Sequence, residues 1–276
     1  SDSLILDVRN ELNFKGRFIG KIFSLPILNE IFNLQLKITN KHIQSFLENQ
    51  KIIYQNSKEI KYLINKYKFE NTLDFGCIQS FEYLDKTYSC FYVNLADRVE
   101  KLSHSFNFKN IKSFFEIGGG FGANIHFVIT NFPNIKKILY LDTVPNLFVG
   151  TSYLKHHFGN SVKDYVEIKK FNKIHFSNNN ELEILCIPPW FIENIDVEID
   201  HFHNAASFVE MPKVIIKNYI KFIKKFKTKE ISLISYDGFD INTTFDPKEL
   251  NDFFDNELII KWNNGLIDQY NRKLIY

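Results

Sequence analysis

The apolar positions change their period once along the chain, near residue 110. Before that point they recur at helical spacing. Ile43, Phe46, Leu47, Ile52 and Ile53 lie near helical spacing, followed by Ile60, Leu63 and Ile64. Turn residues, Asn71 and Gly76 among them, occupy 68–85. A second helical run follows in Tyr88, Phe91, Tyr92, Leu95, Val99 and Leu102. Residues 1–39 are mixed, and Pro26 breaks the apolar alternation there. The expected architecture of residues 1–108 is a mostly helical cap. No linker-like composition separates it from the rest of the chain.

From Lys112 the pattern becomes strand–helix alternation, which predicts a parallel sheet with helices on both faces over residues 109–276. The expected strands are Ser113–Ile117, Lys137–Leu141, Tyr165–Lys169, Leu182–Ile187, Val197–Phe202 and Ile231–Tyr236. Helices are expected over Ala123–Phe132, from Thr143 to Gly159 with Pro145 in the first turn, and from Pro212. The last of these carries Ile215, Ile216, Tyr219, Phe222, Ile223 and Phe226 on one face and five lysines elsewhere, the pattern of an amphipathic helix with a solvated side. Asp246 to Glu249 reads as a capping box. Residues 257–276 read as an antiparallel hairpin turning at Asn263-Asn264-Gly265. The fold class is therefore α/β, a Rossmann-like parallel sheet closed by an antiparallel hairpin.

Composition narrows the function by exclusion. A net charge of +2 is too balanced for a dedicated nucleic-acid binder. Three cysteines, Cys77, Cys90 and Cys186, are too widely spaced for a zinc or redox motif, and their odd number argues against a disulfide scaffold. No apolar run is long enough for a membrane span. Ser1-Asp2-Ser3 shows neither an initiating Met nor a signal-peptide apolar core, and the expectation is a trimmed, cytoplasmic protein. Oligomeric state stays open, a homo-oligomer included.

The candidate chemistry starts at Phe114-Phe115-Glu116-Ile117-Gly118-Gly119-Gly120-Phe121-Gly122. A strand ends in an acid, four glycines fall within five positions, and a helix follows. Such a turn lets backbone approach a nucleotide-like ligand. The spacing Gly118-x-Gly120-x-x-Ala123 also satisfies the dinucleotide fingerprint, with Asp142 where a ribose-binding acid belongs. The loop alone leaves NAD and S-adenosylmethionine open. Three features favour the methyl donor. Glu116 disfavours a pyrophosphate and suits a cationic ligand, the long helical lead-in is unlike a dinucleotide domain, and the tail is antiparallel. The expected cofactor contacts are Glu116, Gly118, Gly119, Gly120, Phe121, Gly122, Asp142 and Thr143.

Further blocks carry a resemblance. Tyr140-Leu141-Asp142-Thr143-Val144-Pro145-Asn146-Leu147, Val149-Gly150-Thr151-Ser152-Tyr153-Leu154 and Asn204-Ala205-Ala206-Ser207-Phe208-Val209-Glu210-Met211 join the glycine loop. Over residues 88–236 the set resembles the sugar O-methyltransferases of bacterial surface-polysaccharide gene clusters. The resemblance implies a class I S-adenosylmethionine-dependent O-methyltransferase. Its acceptor would be a sugar, in particular a nucleotide-linked one, for capsular or other surface polysaccharide.

Ligands of open α/β sheets sit beyond the carboxyl ends of the strands. His201 and His203 alternate onto one face at the end of the expected strand Val197–Phe202, and Asn204, Ser207 and Glu210 follow. Methyl transfer to a hydroxyl needs alignment and a proton acceptor. The expected catalytic set is His203 as base, Glu210 orienting it or the sugar, and Asn204 and Ser207 as hydrogen-bonding partners. Ser207 and Glu210 also have capping-box spacing. His201 is expected to be structural, His156 and His157 to complement a helix end, and His126 to be an isolated core or surface position. No metal site is assigned, although Asp237 and Asp240 with His203 could hold a divalent ion. Three alternatives stay open. The acceptor could be a small phosphorylated metabolite, a protein or an RNA. The chain could be an NAD(P)-dependent sugar dehydrogenase or epimerase, or a non-catalytic cofactor binder. For the dehydrogenase, Tyr62 and Lys66 have the required spacing but precede the glycine loop.

Overall fold

The computed structural model describes residues 51–70 and 79–236, the isolated positions 41, 45 and 48, and the backbone of 274–275. Asp237, Asp240, the capping box at 246–249 and most of the hairpin expected over 257–276 lie outside the described residues.

The helical lead-in contains α1 (Lys58–Lys66) and α2 (Cys90–Ser103), with a helical turn over 51–56 before them. Ser57 caps α1, its hydroxyl accepting from the Ile60 amide at 3.3 Å. Between the helices lies a two-stranded hairpin, β1 (Ser80–Tyr83) and β2 (Lys86–Ser89), in place of the expected turn region. Its two-residue loop puts Leu84 (φ 49°) and Asp85 (φ 58°) in the left-handed region. No Asn-Gly or Asp-Gly signal advertises it, which is why the sequence pattern misses it. Tyr54, Ile64, Phe81, Cys90 and Val93 bury one small core here.

Among the described residues, seven strands form the main sheet: β3 (Ser113–Ile117), β4 (Lys137–Leu141), β5 (Val162–Lys163), β6 (Glu183–Ile187), β7 (His201–Ala205), β8 (Glu230–Tyr236) and β9 (Leu274–Ile275). Their spatial order is β5-β6-β4-β3-β7-β8-β9. All pairs are parallel except β8 with β9. The five central strands, numbered by sequence, run 3-2-1-4-5, and the order reverses between β3 and β7.

The crossovers are α3 (Ala123–Asn131), α4 (Val144–Phe158), the short α5 (Tyr165–Ile168) and α6 (Lys213–Lys225). Tyr165–Ile168, expected as a strand, is instead a helical turn. Asp164 causes the difference: its carboxylate caps the turn by accepting from the Glu167 amide at 2.9 Å, and the paired strand retreats to Val162–Lys163. α6 is amphipathic, with Ile216, Tyr219, Ile220 and Ile223 buried, but Ile215, expected on that face, is exposed.

Two cores sandwich the sheet. Phe114, Ile138 and Tyr140 face α2, α3 and α4, whereas Phe115, Ile117, Leu139, Leu141 and Phe202 face α6 and the turn Pro189–Asn194. Every residue of β3 is buried, as expected for a central parallel strand.

One boundary shift matters for the site. The strand expected over Val197–Phe202 begins instead at His201. Asp200 holds that entry: its carboxylate accepts from the Lys112 and Ser113 amides at 2.8 and 3.1 Å, and its own amide donates to Ser113 Oγ at 2.8 Å. His201 and His203 therefore lie inside the sheet, and the strand runs on to Ala205.

Candidate functional site

The crevice at the strand-order reversal is framed by two turns, Gly118–Gly122 after β3 and Ala206–Glu210 after β7. The first needs glycine for defined reasons. Gly118 (φ 74°), Gly120 (φ 60°) and Gly122 (φ 86°) are left-handed. A Cβ on Gly118 would also lie 2.3 Å from Ser207 Oγ. Asn204 and Ser207 brace this turn from the neighbouring strand. Asn204 Nδ2 donates to the Ile117 carbonyl at 2.9 Å, and Ser207 Oγ reaches the same carbonyl at 3.2 Å. Asn204 Oδ1 accepts from the Phe208 amide at 3.1 Å. The hydroxyl of Ser207 is thus committed to the glycine turn. The capping box with Glu210 does not form: Ser207–Glu210 is a 3-10 turn, and Pro212 precedes α6. Ala206 takes φ 68° without being glycine, a strained residue at the crevice.

Asp142, at the end of β4, is nearly buried and accepts from the Gly120 amide at 2.8 Å and the Thr143 amide at 2.7 Å. Thr143 occupies the N-cap position of α4, but its hydroxyl points to Asp142, 3.3 Å away, rather than into the helix. Phe121 turns away from the crevice. Its ring meets Phe91 and Tyr153, each at 5.4 Å, so only its backbone faces the loop's concavity.

Glu116 is the unusual group. Its side chain is buried. Asn124 Nδ2 donates to Oε1 at 2.8 Å, while Oε2 has no hydrogen-bonding partner in the protein. Burial pushes its pKa up to about 8; the Asn124 hydrogen bond opposes this, the Asp142 charge reinforces it, and the Arg98 guanidinium offsets it least. A buried carboxylate oxygen without a donor is costly in isolation and suits a cationic, hydrogen-donating ligand.

His203 sits beside Glu116 in register across β3 and β7. The sequence points to it as the base, and in the structure it is a buried ring that already has a hydrogen-bonding partner. The ring is only 4% exposed, its Nδ1 lies 2.8 Å from Ser232 Oγ, and burial pushes its pKa down to about 3. An imidazole that resists protonation so strongly is a poor proton acceptor near neutrality. His201 contacts the same hydroxyl through Nε2 at 2.7 Å and Glu230 through Nδ1 at 3.3 Å, a structural position as expected. One serine hydroxyl can donate to one ring and accept from the other. Glu210 is exposed on the second turn.

Three supporting residues escape the sequence pattern. Asn124 is a polar residue in the first turn of a mostly apolar helix, which is the only signal it offers. Tyr140 donates its hydroxyl to the Gly120 carbonyl. Gly150 makes room for that contact, since a Cβ there would meet the Tyr140 hydroxyl at 2.3 Å. Tyr62 and Lys66 both bind Glu100, at 3.1 and 2.6 Å, on the surface of α1 and α2.

No protein-family model matches the sequence, and neither does any curated protein. Solved structures give loose superpositions at low identity. The chain matches the mitomycin 7-O-methyltransferase MmcR with a TM-score of 0.43 and 10% identity, over 67% of this chain and 56% of that one. It matches the magnesium protoporphyrin IX methyltransferase of Synechocystis PCC 6803, solved with bound SAM, with a TM-score of 0.42 and 8% identity, over 83% and 95%. For human N-acetylserotonin methyltransferase in complex with SAM the TM-score is 0.39 at 10% identity, over 67% and 52%. The chain thus spans little more than half the length of the first and third. Its own strand order and glycine turn define the fold: a Rossmann-like α/β sheet with the central order 3-2-1-4-5 and an antiparallel edge. Among the described residues, no helix is long and apolar enough to cross a membrane.

Proposed function

We propose that the chain is an S-adenosylmethionine-dependent O-methyltransferase acting on a sugar hydroxyl, with a nucleotide-linked sugar as the acceptor. One observation carries the cofactor: Glu116 Oε2, buried at the end of β3 with no donor from the protein. The donor chemistry fits. Glu116 would receive the ligand's ammonium. Asp142, which receives only a short set of amide and side-chain donors, has lone pairs left for ribose hydroxyls. The glycine backbone at Gly118, Gly119, Gly120 and Gly122 allows close approach, and a Cβ at Gly120 would meet nothing within 4 Å, leaving room above the loop. A pyrophosphate at the glycine turn would instead lie beside the buried Glu116 carboxyl, which disfavours NAD. The bound cofactor supplies an electrophilic methyl group on a sulfonium.

The protein's own contribution is alignment and proton removal. Asn204 and Ser207 hold the glycine turn against β7, so the acceptor oxygen can be presented in line with the transferred carbon. Glu210 takes the proton-accepting role in place of His203, because it is the exposed carboxylate on the turn that follows β7. His203 becomes a positioning residue beside Glu116. The sugar acceptor rests on the sequence resemblance of residues 88–236.

Methyl transfer to a panel of nucleotide sugars, followed by mass, tests this reading. Glu210→Gln should lower kcat by roughly 10²–10⁴ with little change in cofactor affinity. Turnover that is undiminished would remove Glu210 as the proton acceptor, and methylation of a non-sugar acceptor alone would overturn the substrate class.

A further inference from the structure

We propose that Glu70, His126 and His157 form a binding site for a divalent transition-metal ion of the zinc class. The site lies outside the crevice and is independent of the function proposed above. The three residues come from three places: the segment after α1, the middle of α3 and the last turn of α4. Nothing in their sequence spacing announces the cluster; the fold assembles it.

The geometry suits an ion. One donor atom from each residue can be chosen so that all lie within 4.8 Å of one another. Glu70 Oε2 is 2.7 Å from His126 Nε2 and 3.8 Å from His157 Nδ1. In a tetrahedral zinc site with bonds of about 2.0–2.1 Å, neighbouring donors stand roughly 3.3 Å apart. These two separations bracket that value, and the two histidine donors lie within 4.8 Å of each other, so a bound ion would draw the side chains together. Two imidazole nitrogens and one carboxylate oxygen favour Zn(II), Co(II) or Ni(II) over Mg(II) or Ca(II), which prefer oxygen donors throughout.

The surroundings add a second observation. His126 Nδ1 lies 2.5 Å from the Tyr153 hydroxyl and 3.2 Å from that of Tyr92. Partners at Nδ1 orient the ring and direct Nε2 toward Glu70, the arrangement typical of metal-bound histidines. His126 is 1% exposed, while the Glu70 side chain is 51% exposed, so an ion can enter from the Glu70 side and keep a water there. Tyr153 also carries the Phe121 ring of the glycine loop. A bound ion would therefore fasten residues 68–70 to the helices that support that loop.

The test uses the full chain, stripped with a chelator and dialysed. Co(II) titration should give one equivalent of binding with the visible bands of a tetrahedral or five-coordinate ion. Zn(II) at a hundredfold excess over its Kd should raise Tm by roughly 5–10 °C, and Mg(II) should not. Glu70→Gln and His157→Ala, both at partly exposed positions, should each abolish the Co(II) bands and most of the Tm shift while the variants remain folded by circular dichroism. Featureless Co(II) spectra with an unchanged Tm in the parent protein would overturn the proposal. So would wild-type-like binding in both variants, since the ion would then sit elsewhere.

Discussion

Glu116 and His203 stand side by side on neighbouring strands, both buried, and they differ in what meets them. His203 shares the Ser232 hydroxyl with His201 and packs near the Phe114 ring, 6.0 Å away. Glu116 keeps one oxygen with no protein donor. Burial alone therefore does not mark a functional group. A buried polar atom with partners contributes to the fold; one without a partner, beside a glycine turn, has hydrogen-bonding capacity to spare. The two groups also respond to pH in opposite directions. Glu116 prefers its proton and His203 refuses one.

Substitution at Glu116 should produce the largest effect. Glu116→Gln keeps the shape and the Asn124 contact but removes the charge. S-adenosylhomocysteine should bind roughly 10–150-fold more weakly, as expected for loss of one charge-assisted hydrogen bond. Calorimetry reads this directly, and unchanged affinity would erase the distinction between the two residues.

A smaller effect is expected at the turn between them. Gly118→Ala places a side chain at φ 74° and 2.3 Å from Ser207 Oγ. The backbone term alone costs about 1–2 kcal/mol. Thermal unfolding should show the loss, and a Ser207→Gly background should recover the steric part but not the backbone part. Full tolerance of Gly118→Ala would mean that the turn is not held as described.

The pH dependence of stability gives the subtlest contrast. In the folded protein Glu116 titrates at about 8 instead of the ordinary 4.5, so the folded state holds this proton more tightly. Its contribution to stability is full below about 4.5 and is lost as pH rises to about 8. His203 titrates at about 3 instead of 6.5, so its contribution is full above 6.5 and is lost as pH falls toward 3. In urea melts without ligand, Glu116→Gln should flatten the decline between pH 5 and 8. His203→Gln should flatten part of the decline on the acid side, with His201, also held neutral by burial, supplying the remainder. The same slope in both variants as in the parent would contradict the assignment.

Much of the sheet is legible in the sequence because its strands are apolar and bounded by turn residues. β3, β4 and β8 and the helices after β3 and β4 lie close to their expected ranges. The glycine loop and Asp142 are readable as a unit because backbone approach and ribose contact require those residue types. Two local features defeat the pattern. Asp200 clips β7 to β3 and starts the strand late, which moves His203 from the expected strand end into the sheet. Leu84 and Asp85 turn a hairpin without glycine. The Glu70–His126–His157 cluster is invisible for another reason: its members are 31 to 87 residues apart and meet only where α3, α4 and the segment after α1 come together. Asn124, Tyr140 and Ser232 are likewise unreadable, since their roles depend on which atom they reach.

A cationic ligand at Glu116 would have to displace the proton that burial holds there. Proton-linked calorimetry tests it most directly, with S-adenosylhomocysteine titrated between pH 6 and 8 in buffers of different ionisation enthalpy. Binding should strengthen as pH rises, with close to one proton released at pH 6 to 7 and none released by Glu116→Gln. NAD should not bind. Tight NAD binding without S-adenosylhomocysteine binding, or pH-independent binding with no proton released, would contradict it.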